Sequence, residues 1–191
     1  MSRLDQQMAF LTEVDRLKSV VRATTLCDAS RFENSAEHSW HIALYALVLA
    51  EHAETQLDVT KVIKMLLLHD LVEIDAGDAP VFGAHDTAAL ELQEAQAADR
   101  IFGLLPEDQA SQFRAIWDEF EANETPEAMF AKSIDRMQPP MQNLASGGGS
   151  WTDYNVTQDM FEAKIAPKIN NGAPKIWAWL QPRIRAFFAT A

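Results

Sequence analysis

The segment between Asp58 and His69 constrains the fold more than any other part of this sequence. Asp58 is a helix start signal, because its carboxylate can cap the free amides of a first turn. The residues that follow are apolar nearly all round a helix: Val62, Ile63, Met65, Leu66, Leu67 and Leu68. A helix without a polar face has to be surrounded by other elements. We therefore expect this helix at the centre of the core.

The rest of the chain also predicts helices, and no strand alternation is evident. Apolar residues at three- and four-residue spacing predict a first helix with one apolar face: Leu4, Met8, Leu11, Val14, Leu17 and Val21. A second helix is expected from about Ala36, with Ser35 as its N-cap. Later helices are expected at residues 87–102, at about 106–122 and from Thr125-Pro126 onward.

These elements predict an all-α fold, a compact single domain of about six to eight helices over residues 1–191. The glycine-rich stretch Ser146–Ser150 predicts a flexible linker. It separates a core at residues 8–140 from a tail at residues 151–191, where one or two further helices are expected.

Charge and cysteine content exclude several classes of function. The chain has 16 Lys and Arg against 28 Asp and Glu, a net charge of −12, so it lacks the cations that bind nucleic-acid polymers or anionic lipid. The single Cys27 excludes a disulfide framework, and we see neither a signal peptide nor an apolar run near the ~20 residues of a membrane span. We expect a cytoplasmic protein. A small phosphorylated substrate would need local cations or a metal ion.

His69 and Asp70, at the end of the apolar helix, are the strongest candidates for such a metal site. Imidazole nitrogen and carboxylate oxygen together suit first-row divalent ions. Adjacent helical residues diverge by about 100°, so other elements must complete the set. His38 and Asp135 are the candidates. Each of these residues alone is more often a helix cap, a packed histidine or a surface acid, and only their combination favours a metal.

Four sequence blocks that contain these residues resemble the HD-domain metal-dependent phosphohydrolases, in the family's order: Glu33–Trp40, Leu68–Glu73, Ala76–Asp78 and Ser133–Pro139. They are most similar to the 5′-deoxynucleotidase-like branch. The resemblance implies that four side chains hold one divalent ion, which the sequence leaves open among Mn, Co, Fe, Ni, Zn and Mg: His38, His69, Asp70 and Asp135. It also implies a homodimer and hydrolysis of nucleoside 5′-monophosphates, deoxynucleotides above all.

The resemblance further implies that Glu73 activates the attacking water, that Asp78 orients water or substrate, and that Arg22 contacts the phosphate. From spacing alone, Lys132 is a second cation near Asp135 and His41 is a substrate contact. Each has a structural alternative: a surface acid for Glu73, a turn with Gly77 for Asp78, an ion pair with Glu13 or Asp28 for Arg22, a solvated ammonium for Lys132 and a packed ring for His41.

The substrate and the activity class have alternatives as well. Some family members carry an aromatic residue where this chain has Ala23, so deoxyribose selectivity stays open. Another small phosphoester, including a nucleotide polyphosphate, is the alternative substrate. A regulatory module that keeps the metal but turns over little is the alternative activity class. The presence of Glu73 and Asp78 argues against it, because a binding module need not retain water-activating carboxylates.

Overall fold

The computed structural model describes residues 1–190, and helices dominate it. The α-helices are α1 Arg3–Val14, α2 Ser35–Leu49, α3 Val59–Leu68, α4 Glu73–Ala76, α5 Thr87–Phe102, α6 Glu107–Ala122, α7 Pro126–Ala145, α8 Ser150–Asp153, α9 Gln158–Lys164, α10 Ala166–Gly172 and α11 Pro174–Phe188. Short 3₁₀ turns span Asp15–Ser19, Ala50–His52 and His69–Val72. The all-α prediction is confirmed. The helical segments exceed the expected number because the tail divides into four.

Helix α3 lies at the centre, as its apolar sequence predicts. It packs against α2, α6 and α7, and Val62, Met65 and Leu66 are fully buried. The side chain of Asp58 caps its first turn by accepting a hydrogen bond from the amide of Lys61. The helix ends at Leu68, and the chain enters a 3₁₀ turn that buries His69 and Asp70. Polar side chains are thereby delivered into the interior at the end of the most apolar helix.

The first helix is shorter than predicted, and the prediction of one apolar face over residues 4–21 is wrong. Helix α1 ends at Val14, and Leu4, Met8 and Leu11 are exposed. Phe10 and Leu17 supply the core contacts instead. A 3₁₀ turn follows, and the β-branched residues after it favour an extended chain.

Two short strands follow, which the sequence analysis missed. Strand β1 spans Val21–Thr25 and strand β2 spans Phe32–Asn34, and they pair antiparallel. The hairpin places Arg22 on β1 and Glu33 on β2, where the two side chains face each other and Glu33 also reaches His38 of α2. Its contribution to the site is these two side chains.

The start of α2 differs from the prediction by one residue. Asn34, not Ser35, is the N-cap, and its side chain and that of Glu37 form a reciprocal capping box. Asparagine and serine cap helices about equally well, so the sequence did not decide between them. Because Asn34 caps the helix, the hydroxyl of Ser35 is free for another partner.

The glycine-rich stretch is a folded turn and not a flexible linker. Helix α7 continues through Pro139 and Pro140 to Ala145. Asn143 then holds the turn, since its Oδ1 accepts a hydrogen bond from the amide of Ser150 at 3.1 Å. Gly147 and Gly148 supply the positive φ angles, +77° and +125°, that the reversal requires. The tail is thereby tied directly to the helix that carries Asp135.

Helix α10 approaches α7 so closely that only glycine fits at one contact. A Cβ on Gly172 would lie 2.1 Å from the carbonyl oxygen of Met129. The Ser133 hydroxyl secures the contact, because it accepts from the Gly172 amide and donates to the Lys168 carbonyl, both at 3.0 Å. This contact fixes α10 beside Asp135. None of the helices described over residues 1–190 has the length and apolar character of a membrane span.

Candidate metal centre

Three parts of the fold bring the predicted metal ligands together. His38 comes from the first turns of α2, His69 and Asp70 from the turn after α3, and Asp135 from the middle of α7. One ligand atom each from His38, His69 and Asp135 lies within 4.8 Å of the others, and all three residues are buried. Asp70 adjoins this group, with its Oδ1 2.8 Å from His69 Nε2.

The hydrogen bonds of the two imidazoles fix which nitrogen is free. His69 Nδ1 lies 2.9 Å from the carbonyl oxygen of Leu66, and His38 Nδ1 lies 3.0 Å from Oε1 of Gln138. Both oxygens only accept, so in each ring Nδ1 carries the hydrogen. The lone pair of each neutral ring is then on Nε2. This arrangement, with Nδ1–H donated to an oxygen, is typical of metal-binding histidines.

Both Nε2 atoms face the same carboxylate oxygen. Oδ1 of Asp135 is 3.0 Å from Nε2 of His38 and 3.8 Å from Nε2 of His69. Among residues 1–190, the buried Nε2 of His69 has no hydrogen-bond partner of acceptable geometry. Lone pairs that converge on a carboxylate repel it unless a positive charge intervenes. The residues therefore fit a cation ligated by both rings and by Asp135.

The electrostatics of the site favour a positive charge, a proton or a metal ion, beside these carboxylates. Burial opposes a second proton on His69, but the carboxylates of Asp70 and Asp135 outweigh it and raise the pKa of His69 to about 10. Burial also opposes ionisation of Asp70, yet His69 and Arg22 lower the pKa of Asp70 to about 2. The pKa of Asp135 falls well below its ordinary value, because Arg136, His38 and His69 outweigh burial. Both carboxylates are thus held ionised, the form that binds a metal.

Arg22 is the buried centre of an acidic cluster. Its Nη1 lies 2.9 Å from Asp70, 3.5 Å from Asp78 and 3.8 Å from Glu73, and its side chain is 10% exposed. Although burial disfavours the charged form, these carboxylates raise the pKa of Arg22 above its ordinary value. The surface ion pair with Glu13 or Asp28 is not formed.

Glu73 and Asp78 both line the cavity beside the metal ligands. Glu73 is held by Ser35, whose hydroxyl donates to Oε2 at 2.6 Å. Burial and the negative charge of Asp70 raise the pKa of Glu73 well above its ordinary value, with Arg22 opposing them. The pKa of Asp78 is raised in the same way, first by burial. A carboxylate with a raised pKa is a better proton acceptor, which suits a general base.

Lys132 and His41 line two separate cavities of the protein. Lys132 lines the same cavity, which has a volume of about 710 Å³, and its Nζ pairs with Oε2 of Glu121 at 2.8 Å. The structure does not bring His41 into this cavity. Its ring faces a separate groove beside Leu44 and Tyr45. The alternative of a packed ring agrees with the geometry, because Nδ1 of His41 lies 3.2 Å from Nε2 of Gln138, whose Oε1 contacts His38.

The sequence analysis missed a buried polar network behind His38. Oε1 of Glu33 accepts hydrogen bonds from Nε2 of Gln138 at 2.9 Å and from Nε2 of Gln142 at 2.7 Å. Gln138 in turn accepts from His38, so Glu33 is linked to the imidazole through one amide. The signal was present in the sequence, because Asp135, Gln138 and Gln142 recur at helical spacing on one face of α7.

The chain is similar to several known proteins. The profile of the HD domain matches residues 14–177. A predicted metal-dependent phosphohydrolase from Magnetospirillum magnetotacticum MS-1, known from its crystal structure, is 44% identical with a TM-score of 0.91, over 98% of this chain and 96% of that one. A 5′-deoxynucleotidase of Shewanella oneidensis is 27% identical over 148 residues, 73% of this chain and 75% of its own.

The human 5′-deoxynucleotidase HDDC2 is also similar, at 27% identity over 136 residues. The match includes 71% of this chain and spans about 65% of the length of the human protein.

The network behind His38 predicts a specific effect on metal affinity. Gln138→Ala removes the acceptor that fixes the ring of His38, so the dissociation constant for Mn²⁺ should rise about 10–100-fold. Gln142→Ala is the matched control, because Gln142 donates to the same oxygen of Glu33 without touching His38. Calorimetric titration of metal-free protein, with circular dichroism to check folding, measures the effect. Equal losses in the two variants would contradict a role through His38.

Proposed function

The chain belongs to the HD-domain family, and we propose that it is a metal-dependent phosphomonoesterase that hydrolyses nucleoside 5′-monophosphates, deoxynucleotides above all, to nucleoside and phosphate. The observation that carries this proposal is the convergence of two buried imidazole lone pairs on Asp135, beside the raised-pKa carboxyl of Glu73. The 5′-deoxynucleotidase names of the human and Shewanella relatives support the substrate class.

We propose that His38, His69, Asp70 and Asp135 hold one divalent ion. Such an ion, when bound, lowers the pKa of a ligated water and neutralises charge on phosphoryl oxygens. Two nitrogen and two oxygen donors accommodate Mn, Co, Fe, Ni, Zn or Mg, so availability selects among them.

The remaining residues of the cavity would act on water and phosphate. Glu73 would take the proton of the attacking water, with the Ser35 hydroxyl fixing the other oxygen of the carboxylate. Asp78 would orient water or substrate from the turn after Gly77. Arg22 would place its positive charge beside the phosphate, at the floor of the cavity. Lys132 remains a candidate cation, although Glu121 already pairs with it.

We further propose that residues 1–191 act as one domain. Two buried apolar clusters are present, and Ile116 of α6 packs against both of them. A cytoplasmic location also remains a proposal, and it rests on the single, exposed Cys27.

We propose a homodimer through a groove between α2 and α11. Leu44, Tyr45, Val48 and Trp179 line it, and the neighbouring Trp40 is 60% exposed. Apolar side chains grouped in this way on a surface mark an interaction site. The family resemblance implies a homodimer, so we propose that a second copy of this chain occupies the groove.

Substitution of Glu73 tests the chemistry. Glu73→Gln keeps the size of the side chain and removes its basicity, so turnover of a deoxynucleoside 5′-monophosphate should fall about 10²–10⁴-fold with Mn²⁺ affinity retained. Asp70→Ala, in contrast, should lose both metal and turnover. Phosphate release over a panel of nucleotides, measured beside Mn²⁺ binding, separates these outcomes. Undiminished turnover in Glu73→Gln would remove Glu73 from the mechanism.

Substitution of Val48 tests the dimer. Val48 is 67% exposed in the groove, so Val48→Asp should convert a dimer to a monomer in sedimentation velocity. Met8→Asp is the control, because Met8 is an apolar residue of α1 that is 53% exposed and does not line the groove. A monomeric wild type, or dissociation by Met8→Asp alone, would contradict the proposed interface.

A further inference from the structure

The cavity in front of the metal centre has an acidic wall and a basic wall. Five of the chain's 16 Lys and Arg residues line it, although the net charge of the chain is −12. Glu91, Glu94 and Glu121 stand on the side formed by α5 and α6. The basic residues other than Arg22 stand on the side formed by α7, α9 and α10: Lys132, Arg136, Lys164 and Lys168. Apart from Arg22, the positive charge that a substrate meets in this cavity comes from the side formed by α7, α9 and α10.

Arg22 alone is a weak attractor for a phosphate dianion. Four acidic side chains already lie within 3.8 Å of its guanidinium: Glu33, Asp70, Glu73 and Asp78. An anion that enters the cavity needs further cations to offset these carboxylates.

Lys168 and Arg136 are the members of the basic wall best placed to supply them. Over the described chain, the Lys168 ammonium has no carboxylate within 4.0 Å. Arg136 contacts the carboxylate of Asp135, with 3.4 Å between Nε of Arg136 and Oδ2 of Asp135. Desolvation of the ammonium and the positive charges of Arg136 and Lys132 lower the pKa of Lys168, whereas Asp135 opposes them. Like charges held together in this way favour an anion between them.

The remaining two lysines are less available. Lys132 pairs with Glu121, and its Nζ stands 4.8 Å from the ring centre of Phe120. The Nζ of Lys164 is 3.4 Å from the carbonyl oxygen of Val81, farther along the wall.

The backbone position of Lys168 is firmly determined. Its carbonyl accepts from Ser133, two residues before Asp135, and the Gly172 contact holds α10 against α7. Its side chain lines the cavity and remains accessible to solvent, although its ammonium is partly desolvated. The fold therefore fixes where the side chain begins and leaves the ammonium free to meet a ligand.

We propose that Lys168 and Arg136 hold the phosphoryl group of the substrate on the side of the cavity formed by α7 and α10. This inference rests on the proposed function and assigns it a specificity residue, Lys168, in the C-terminal tail. The ligand class is a phosphate monoester dianion, whose non-bridging oxygens accept charge-assisted hydrogen bonds from an ammonium and a guanidinium. The base and sugar lie outside this contact, so its contribution is the same for different nucleosides.

Binding of inorganic phosphate to the Mn²⁺-loaded protein tests the inference. Lys168→Met should raise the dissociation constant for phosphate about 10–100-fold, the range for losing one hydrogen bond between charged groups. It should raise KM for purine and pyrimidine deoxynucleotides by a similar factor and change kcat less. Lys168→Arg, which keeps the charge, should recover most of the affinity. Lys18→Met is the matched control, since Lys18 pairs with Asp15 on the surface.

The outcomes separate this inference from the proposed function. Phosphate affinity and KM in Lys168→Met equal to those of Lys18→Met would overturn the role of Lys168, even if the enzyme is an active phosphomonoesterase. Absence of phosphate release from every nucleotide would overturn the proposed function. The calorimetric comparison of Lys168→Met with the wild type would still report directly whether Lys168 binds phosphate.

Discussion

The structure depends on one electrostatic constraint, which is the convergence of two buried imidazoles on a single oxygen of Asp135. Neutral rings would direct lone pairs at a carboxylate, so the arrangement is stable only with positive charge between them. Burying charged side chains costs free energy unless each charge has a partner that compensates it. Arg22 beside Asp70, and Gln138 behind His38, supply that compensation from within the chain. A divalent ion would complete it.

The elements around this centre each position residues of the site. The apolar helix α3 ends in a 3₁₀ turn that delivers His69 and Asp70 into the interior. The capping of α2 by Asn34 frees Ser35 to hold Glu73. The close contact at Gly172 brings the tail, and with it Lys168, to the mouth of the cavity. In the proposed function an acidic protein acts on an anionic substrate, and the cations that line the cavity would supply the positive charge locally.

The sequence predicted those features of the fold and the site that depend on residue type and on the spacing of apolar residues. The central helix at Asp58–His69 and the family resemblance are confirmed, because an all-round apolar segment and four ordered motifs leave few alternatives. The hairpin at Val21–Asn34 was missed, since its two strands are too short to show alternation. Glu33 was missed as a site residue because its importance comes from Gln138 and Gln142 of α7, contacts that exist only after folding. The roles of the individual site residues remain predictions.

In the proposed function, one divalent ion in this centre supports phosphate release from a nucleoside 5′-monophosphate. The most direct measurement is a titration of metal-free protein with Mn²⁺, in which bound metal and release of phosphate from a deoxynucleotide are followed together. Activity should be absent at the start, rise in proportion to bound metal and reach its plateau at one ion per chain. Full activity in the metal-free protein, or a saturated site without phosphate release, would contradict it.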